Sequence, residues 1–350
     1  MRKFDYITLK EKKWDSEIIG LLSQIHEHKG RQDVFIKQKP EQLEKLVDVA
    51  KRQSTEASNA IEGIRTTSSR LKQLCEEKTT PKNRAEEEIL GYREVLNTIH
   101  ESYEFIPLRS NYILQLHRDL YRYTEKNIGG KYKISQNVIA ARDENGKEYV
   151  LFTPLAPYET PKAIDEICEN YNIMIENDEI DALLLIPIFI HDFLCIHPFS
   201  DGNGRMSRLL TALLLYKSGY VIGKYISIES KIAKNKDLYY QALEECQEGW
   251  HENKEDVTPF IKYMLRIILA AYRDFEERVE IIGEKLPAKE IVRRAVYSKI
   301  GKIYKNDIVE LCPQIGVKSV EVAIRQLTEE GMLIKYGSGR ATYYIRGDAK

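Results

Sequence analysis

The sequence is poor in the features that mark several large protein classes. Its 350 residues hold only five cysteines (Cys75, Cys168, Cys195, Cys246, Cys312), widely spaced, odd in number and without a CxxC pair. That pattern argues against a disulfide framework or a structural zinc site and for a reducing compartment. There is no charge of one sign in excess: 53 Lys+Arg against 54 Asp+Glu give a net charge of −1, so no global field recruits nucleic acid or a membrane. No apolar run approaches the roughly 18 residues of a membrane span, and Met-Arg-Lys-Phe-Asp-Tyr leads into charged sequence rather than a signal core. A cytoplasmic protein without membrane contact is expected. Also missing are a GxxxxGK[ST] phosphate loop and clustered His/Asp metal ligands, which argues against a general phosphohydrolase.

The most informative stretch is 197–208, His-Pro-Phe-Ser-Asp-Gly-Asn-Gly-Arg-Met-Ser-Arg. Gly202 and Gly204 flank Asn203 where a loop turns into an apolar helix beginning near Arg205. Backbone amides there point at open space beside the positive end of a helix dipole, which makes an anion pocket. Asp201 offers a carboxylate for a metal ion, Arg205 and Arg208 share one helix face, and His197 stands across the loop. These residue types suit phosphate-ester chemistry on a nucleotide.

Other segments read by periodicity. Apolar residues from Leu43 to Ile61 recur at helical spacing over 42–63, and Gly63 supplies a C-terminal stop. Ser58 and Glu62, four apart, fall on one face near that end. Helices are expected at 16–28, 83–102, 110–123, 162–176, 181–196, 206–216 and 258–279, with 181–196 apolar on nearly all sides and therefore buried. His117 and His191 read as packing histidines. Between 131 and 153 the period changes to strands around Asn145-Gly146, a strong hairpin signal.

Residues 283–288 read as a linker. Beyond it come helices at 289–302, 306–312 and 319–331 and two strands around Gly337-Ser338-Gly339, which resemble a winged helix-turn-helix domain. From 289 to 350 there are 12 Lys+Arg and 7 Asp+Glu, a net of +5. That asymmetry favours DNA, while Glu321, Glu329 and Glu330 on the third helix oppose phosphate contacts. DNA binding, target recruitment and homodimer formation stay open for this domain.

The 197–208 segment resembles the signature of the Fic family, His-x-Phe-x-(Asp/Glu)-Gly-Asn-Gly-Arg-x-x-Arg, at every fixed position. The resemblance implies a mainly α fold: a Fic-type helical domain with a β-hairpin flap, followed here by the small C-terminal winged helix-turn-helix. It divides the chain into a helical region at 1–104, a catalytic core at 105–282 with the flap at 131–153, the linker, and the domain at 289–350. It implies transfer of AMP from ATP to a protein hydroxyl. His197 would be the general base, Asp201 the Mg²⁺ carboxylate, and Gly202, Asn203, Gly204, Arg205 and Arg208 the phosphate binders. Asn235, Tyr239 and Tyr240 are similar to the stretch that lines the family's adenine site, although packing also explains tyrosines in a chain with 22 of them.

Ser58 to Gly63 is similar to the family's inhibitory motif, (Ser/Thr)-x-x-x-Glu-(Gly/Asn), which implies that Glu62 pairs with Arg208 where the γ-phosphate of ATP should sit. A solvated Glu62 near a helix end is the plain alternative. The flap would hold a target protein by strand addition. The resemblance leaves other outcomes open: γ-phosphate transfer from reversed ATP, transfer of another phosphate-linked group, removal of AMP, or a nucleotide-sensing transcriptional regulator.

Overall fold

The computed structural model describes residues 2–38, 40–142, 148–178, 180–283, 286–297, 299, 301–312 and 315–347. The elements run α1 (Ser16–Gln38), α2 (Pro40–Ile61), α3 (Ser68–Cys75), α4 (Arg84–Ser102), α5 (Ser110–Leu120), β1 (Ile139–Arg142), β2 (Glu148–Phe152), α6 (Thr160–Glu176), α7 (Ala182–Ile196) and α8 (Asn203–Lys217). They continue with α9 (Ile228–Lys234), α10 (Lys236–Gln247), α11 (Thr258–Gly283), α12 (Ala288–Tyr297), α13 (Lys305–Leu311), α14 (Val317–Glu329), β3 (Leu333–Tyr336) and β4 (Tyr343–Arg346). The fold is mainly helical, with two small antiparallel sheets among the described residues. No helix among them is long and apolar enough to cross a membrane. The Asn145-Gly146 turn expected between β1 and β2 lies outside the described residues.

Two compact units form, one from 1–29 with 50–271 and one from 30–49 with 272–350. The core of the first is α7, whose Leu183, Leu185, Ile186, Phe189 and Phe193 are all buried, as expected of a helix apolar on every side. It packs against α6 and α8, and α4 packs against α5 and α8. One buried carboxylate on α7 ties the N-terminal segment down. Asp192 accepts from the Tyr6 hydroxyl at 2.8 Å, the Trp250 indole at 2.7 Å and the Arg2 guanidinium at 2.8 Å. Arg2 also lies 4.3 Å from the Trp250 ring centroid. A buried charge persists because both carboxylate oxygens find donors.

The end of α2 is built tightly. The Ile64 amide donates to the Asn59 carbonyl at 2.9 Å and the Gly63 amide to Ala60 at 3.1 Å, with Gly63 in the left-handed region at φ +78°. This is the Schellman arrangement, and it makes Glu62 the residue at the helix cap. The expected glycine stop therefore fixes the direction in which the Glu62 side chain leaves the helix.

In the second unit α12, α13 and α14 close over Val292, Ala295, Ile308, Val320, Ala323 and Leu327. β3 and β4 pair with Leu333 opposite Arg346 and Tyr336 opposite Tyr343, and Ile303 bridges to Tyr344. Three helices and a strand pair thus occur in the expected order. On α14, Glu321 is paired with Lys305 at 2.9 Å.

Candidate functional site

The loop from α7 to α8 is held from several sides. His197 ends α7 in the left-handed region, φ 50°, with its amide on the Phe193 carbonyl at 3.0 Å. Phe199 is fully buried and stacks on the His117 ring, centroids 3.7 Å apart and nearly parallel. His117 accepts the Gly130 amide at Nδ1 (3.1 Å), so Nε2 carries the proton and donates to the Asp201 carbonyl at 3.0 Å. It is the packing histidine expected from the sequence, and its packing is against the loop itself.

Two residues the sequence reasoning passed over complete the clamp. The Lys133 amine donates to the Ile196 carbonyl at 3.0 Å, and its backbone amide to Pro198 at 2.9 Å. Burial pushes the Lys133 amine down to about 8. The Asn137 amide nitrogen donates to the carbonyls of His197 (3.2 Å) and Phe199 (3.1 Å). Neither residue lies in a motif; the only available signal was their position just ahead of the hairpin.

The His197 ring faces Leu194, with Nδ1 3.1 Å from that carbonyl. A carbonyl only accepts, so Nδ1 is protonated and Nε2 keeps its lone pair. Burial, with a contribution from Lys133, pushes the imidazole down to about 4, and the ring is neutral at pH 7. That is the form a general base needs.

Helix α8 starts at Asn203, two residues before the expected Arg205. Gly202 caps it at φ +85°, and a Cβ there would come within 2.9 Å of the Tyr121 hydroxyl. The first amides of α8 lack intrahelical partners and carry the positive end of its dipole. Against them lies Glu62: a Cβ on Gly204 would collide with Glu62 Oε1. The same oxygen accepts from Arg208 NH2 at 2.8 Å. Arg208 also donates to the Ser58 hydroxyl at 2.8 Å and the Ser58 carbonyl at 3.0 Å, so three bonds join it to the end of α2. Burial alone would lower the Arg208 pKa, but the Glu62 carboxylate outweighs it and the guanidinium stays charged.

Three of the expected phosphate and adenine ligands are placed otherwise. Asn203 spends its side chain on Phe199, accepting that amide at 2.9 Å and donating to that carbonyl at 2.8 Å, so it clamps the loop and leaves only its backbone amide to a ligand. Arg205 is fully buried, pairs with Glu88 at 2.8 Å and donates to the Tyr121 hydroxyl at 2.7 Å, which turns it away from Arg208. Tyr239 is 3% exposed and packs against Phe260 and Tyr263, so its faces are not open to a base. Tyr240 is 42% exposed and keeps an accessible ring beside Lys236, whose amine reaches the Ile61 carbonyl at 2.7 Å. Asn235 donates to the Lys231 carbonyl at 3.2 Å and ends α9.

Asp201 is partly exposed. Its Oδ1 accepts from the Gly202 amide at 2.7 Å, its Oδ2 meets the Lys126 amine at 2.5 Å, and its carboxyl is held below the usual range by Lys126 against the opposing effect of burial. Among the described residues no three His, Cys, Asp or Glu side chains gather as a metal cluster. A lone carboxylate beside an anion pocket fits Mg²⁺, which is commonly held by one or two carboxylates with phosphate oxygens and water as its other ligands.

Residues 107–215 match the Fic/DOC family. A probable protein adenylyltransferase of Aquifex aeolicus is 28% identical over 188 residues, covering 52% of this chain and 52% of that protein. The protein adenylyltransferase Fic of Nematostella vectensis is 24% identical, covering 60% of this chain and 45% of that protein. The chain therefore spans about half the length of these relatives. A solved Fic family protein of Desulfovibrio desulfuricans shares the fold at a TM-score of 0.63 and 21% identity, over 97% of this chain and 98% of that one. The chain thus carries a Fic/DOC family domain at residues 107–215 and shares the fold of a solved Fic family protein.

Proposed function

We propose that the protein is an adenylyltransferase that moves AMP from ATP to a hydroxyl side chain of a protein target or of its own chain, and that it rests in a self-inhibited state. The observation that carries this reading is the position of Glu62. Its carboxylate lies on the amide end of α8 and on Arg208, where the terminal phosphate of a nucleotide is expected. Charge-assisted bonds of this kind contribute ~1.5–3 kcal/mol each. Displacement against such a pairing leaves on the order of 1% of molecules competent.

In this reading the region 1–104 regulates through its helix end at Ser58 and Glu62, 105–282 catalyses, and the strand pair at 131–153 docks the target chain by its edge. His197 Nε2 takes the proton of the target hydroxyl as that oxygen attacks the α-phosphorus and pyrophosphate leaves. The new P–O bond replaces the bond to the β-phosphate oxygen. The amides of Asn203 and Gly204 and the Arg208 guanidinium orient the phosphates and receive their charge, while the Gly202 amide holds Asp201 Oδ1. Asp201 would hold Mg²⁺, which when bound neutralises phosphate charge. Arg205 fixes the floor of the pocket through Glu88 and Tyr121. Tyr240 offers the exposed ring for the base.

The test is label transfer with Mg²⁺ and ATP labelled at the α- or the γ-phosphate, with cell lysate and without. Protein label from the α-position alone, present in Glu62→Gly and absent once His197→Ala is added, is expected. Label from γ alone would make the protein a kinase, and no label from either would remove the transferase reading.

A further inference from the structure

Lys126 stands between two carboxylates. Its amine is 2.5 Å from Asp201 Oδ2 and 3.7 Å from Glu88 Oε1, and the Tyr121 ring centroid lies 5.5 Å from the amine. Asp201 is the more exposed partner, with 45% of its side chain accessible, while Glu88 is buried at 4%. Glu88 already meets Arg205 at Oε2 and Arg84 at Oε1, at 2.8 and 3.0 Å. Three cations, Arg84, Lys126 and Arg205, thus surround two carboxylates, a formal net of +1.

We propose that Lys126 is a built-in counter-cation of Asp201: it keeps a divalent ion off that carboxylate until a nucleotide's phosphates arrive, then withdraws to Glu88. The proposal rests on the reading of Asp201 as the metal carboxylate. A divalent ion arriving alone must displace the ammonium and raise an already positive cluster by two charges, which like-charge repulsion opposes. Arriving with a triphosphate, it brings a net negative group, and Lys126 moves about an ångström onto Glu88, near the Tyr121 ring. Metal and nucleotide then bind as one complex, with little metal bound in its absence.

The experiment titrates Mn²⁺ into the full-length protein without nucleotide and follows free Mn²⁺ by electron paramagnetic resonance. Lys126→Met is expected to bind at least about tenfold more tightly than the parent chain, with Lys126→Arg behaving as the parent. A second titration uses Glu62→Gly, His197→Ala protein saturated with ATP, which is not consumed. There Lys126→Met is expected to bind within about threefold of its parent, and Asp201→Asn to lose binding. Equal nucleotide-free affinity of Lys126→Met and the parent, with Asp201→Asn still defective when ATP is present, overturns the role of Lys126 alone. An Asp201→Asn chain that binds Mn²⁺ normally in the presence of ATP overturns the metal assignment as well.

Discussion

Arg205 and Arg208 sit one turn apart on the same helix, both buried, and they do different jobs because of what each meets. Arg205 faces Glu88 on α4, a carboxylate only 4% exposed within the packed core, and the Tyr121 hydroxyl. Arg208 faces Glu62 at a helix cap, 33% exposed, and the two oxygens of Ser58. A core carboxylate cannot leave without unpacking a helix, so the Arg205 pair is permanent. A carboxylate at a helix end can swing into water, so the Arg208 pair is exchangeable. The same residue type serves as scaffold on one side and, in the proposed function, as a phosphate clamp held in reserve on the other.

The comparison can be broken most forcefully on the Arg205 side. Arg205→Ala removes the closest cation of buried Glu88, leaving Arg84 and Lys126 beside it, and should cost about 1–3 kcal/mol in folding stability, read by denaturant titration of the full chain. On the Arg208 side, Arg208→Ala combined with Glu62→Gly should remain nearly inactive, since the clamp itself is missing. Recovery of activity in that double variant would show that Arg208 serves only to hold Glu62. A finer cut is Ser58→Ala, which removes one of the three bonds and should raise transfer by several-fold at a cost of about 1 kcal/mol in folding stability.

Acid offers a further contrast. Burial pushes His117, His191 and His197 down to about 4 and His100 to about 3. Their folded values lie below the unfolded value near 6.5, so the unfolded chain takes up protons that the folded chain refuses, and stability falls as pH drops from about 6.5 towards 4. Thermal melts should therefore weaken well above the pH at which carboxylates titrate. The acid limb of transfer by folded enzyme should follow His197, with activity held to about pH 5 and lost towards 4.

Much of this was legible in the chain because it is local. The loop 197–208, the glycine stop at Gly63 and the four-residue step from Ser58 to Glu62 depend on neighbours in sequence, and the structure brings Glu62 to Arg208 as the resemblance implied. Two of the misplacements, those of Arg205 and Tyr239, come from partners distant in sequence. Nothing near Arg205 announces Glu88, and nothing near Tyr239 announces that Phe260 and Tyr263 cover it. Asn203 turned out to clamp Phe199, because the tight loop brings that backbone within reach of its side chain. Lys133 and Asn137 carry no motif, since any donor of suitable length at those points would reach the loop carbonyls.

The central claim is that the Glu62 carboxylate holds the phosphate site closed. Its most direct test is the initial rate of α-label transfer by Glu62→Gly against the unaltered chain, at saturating ATP and Mg²⁺. A rise of about tenfold or more is the result this account predicts from the loss of ~1.5–3 kcal/mol of competing interaction. Equal rates in the two proteins would contradict it.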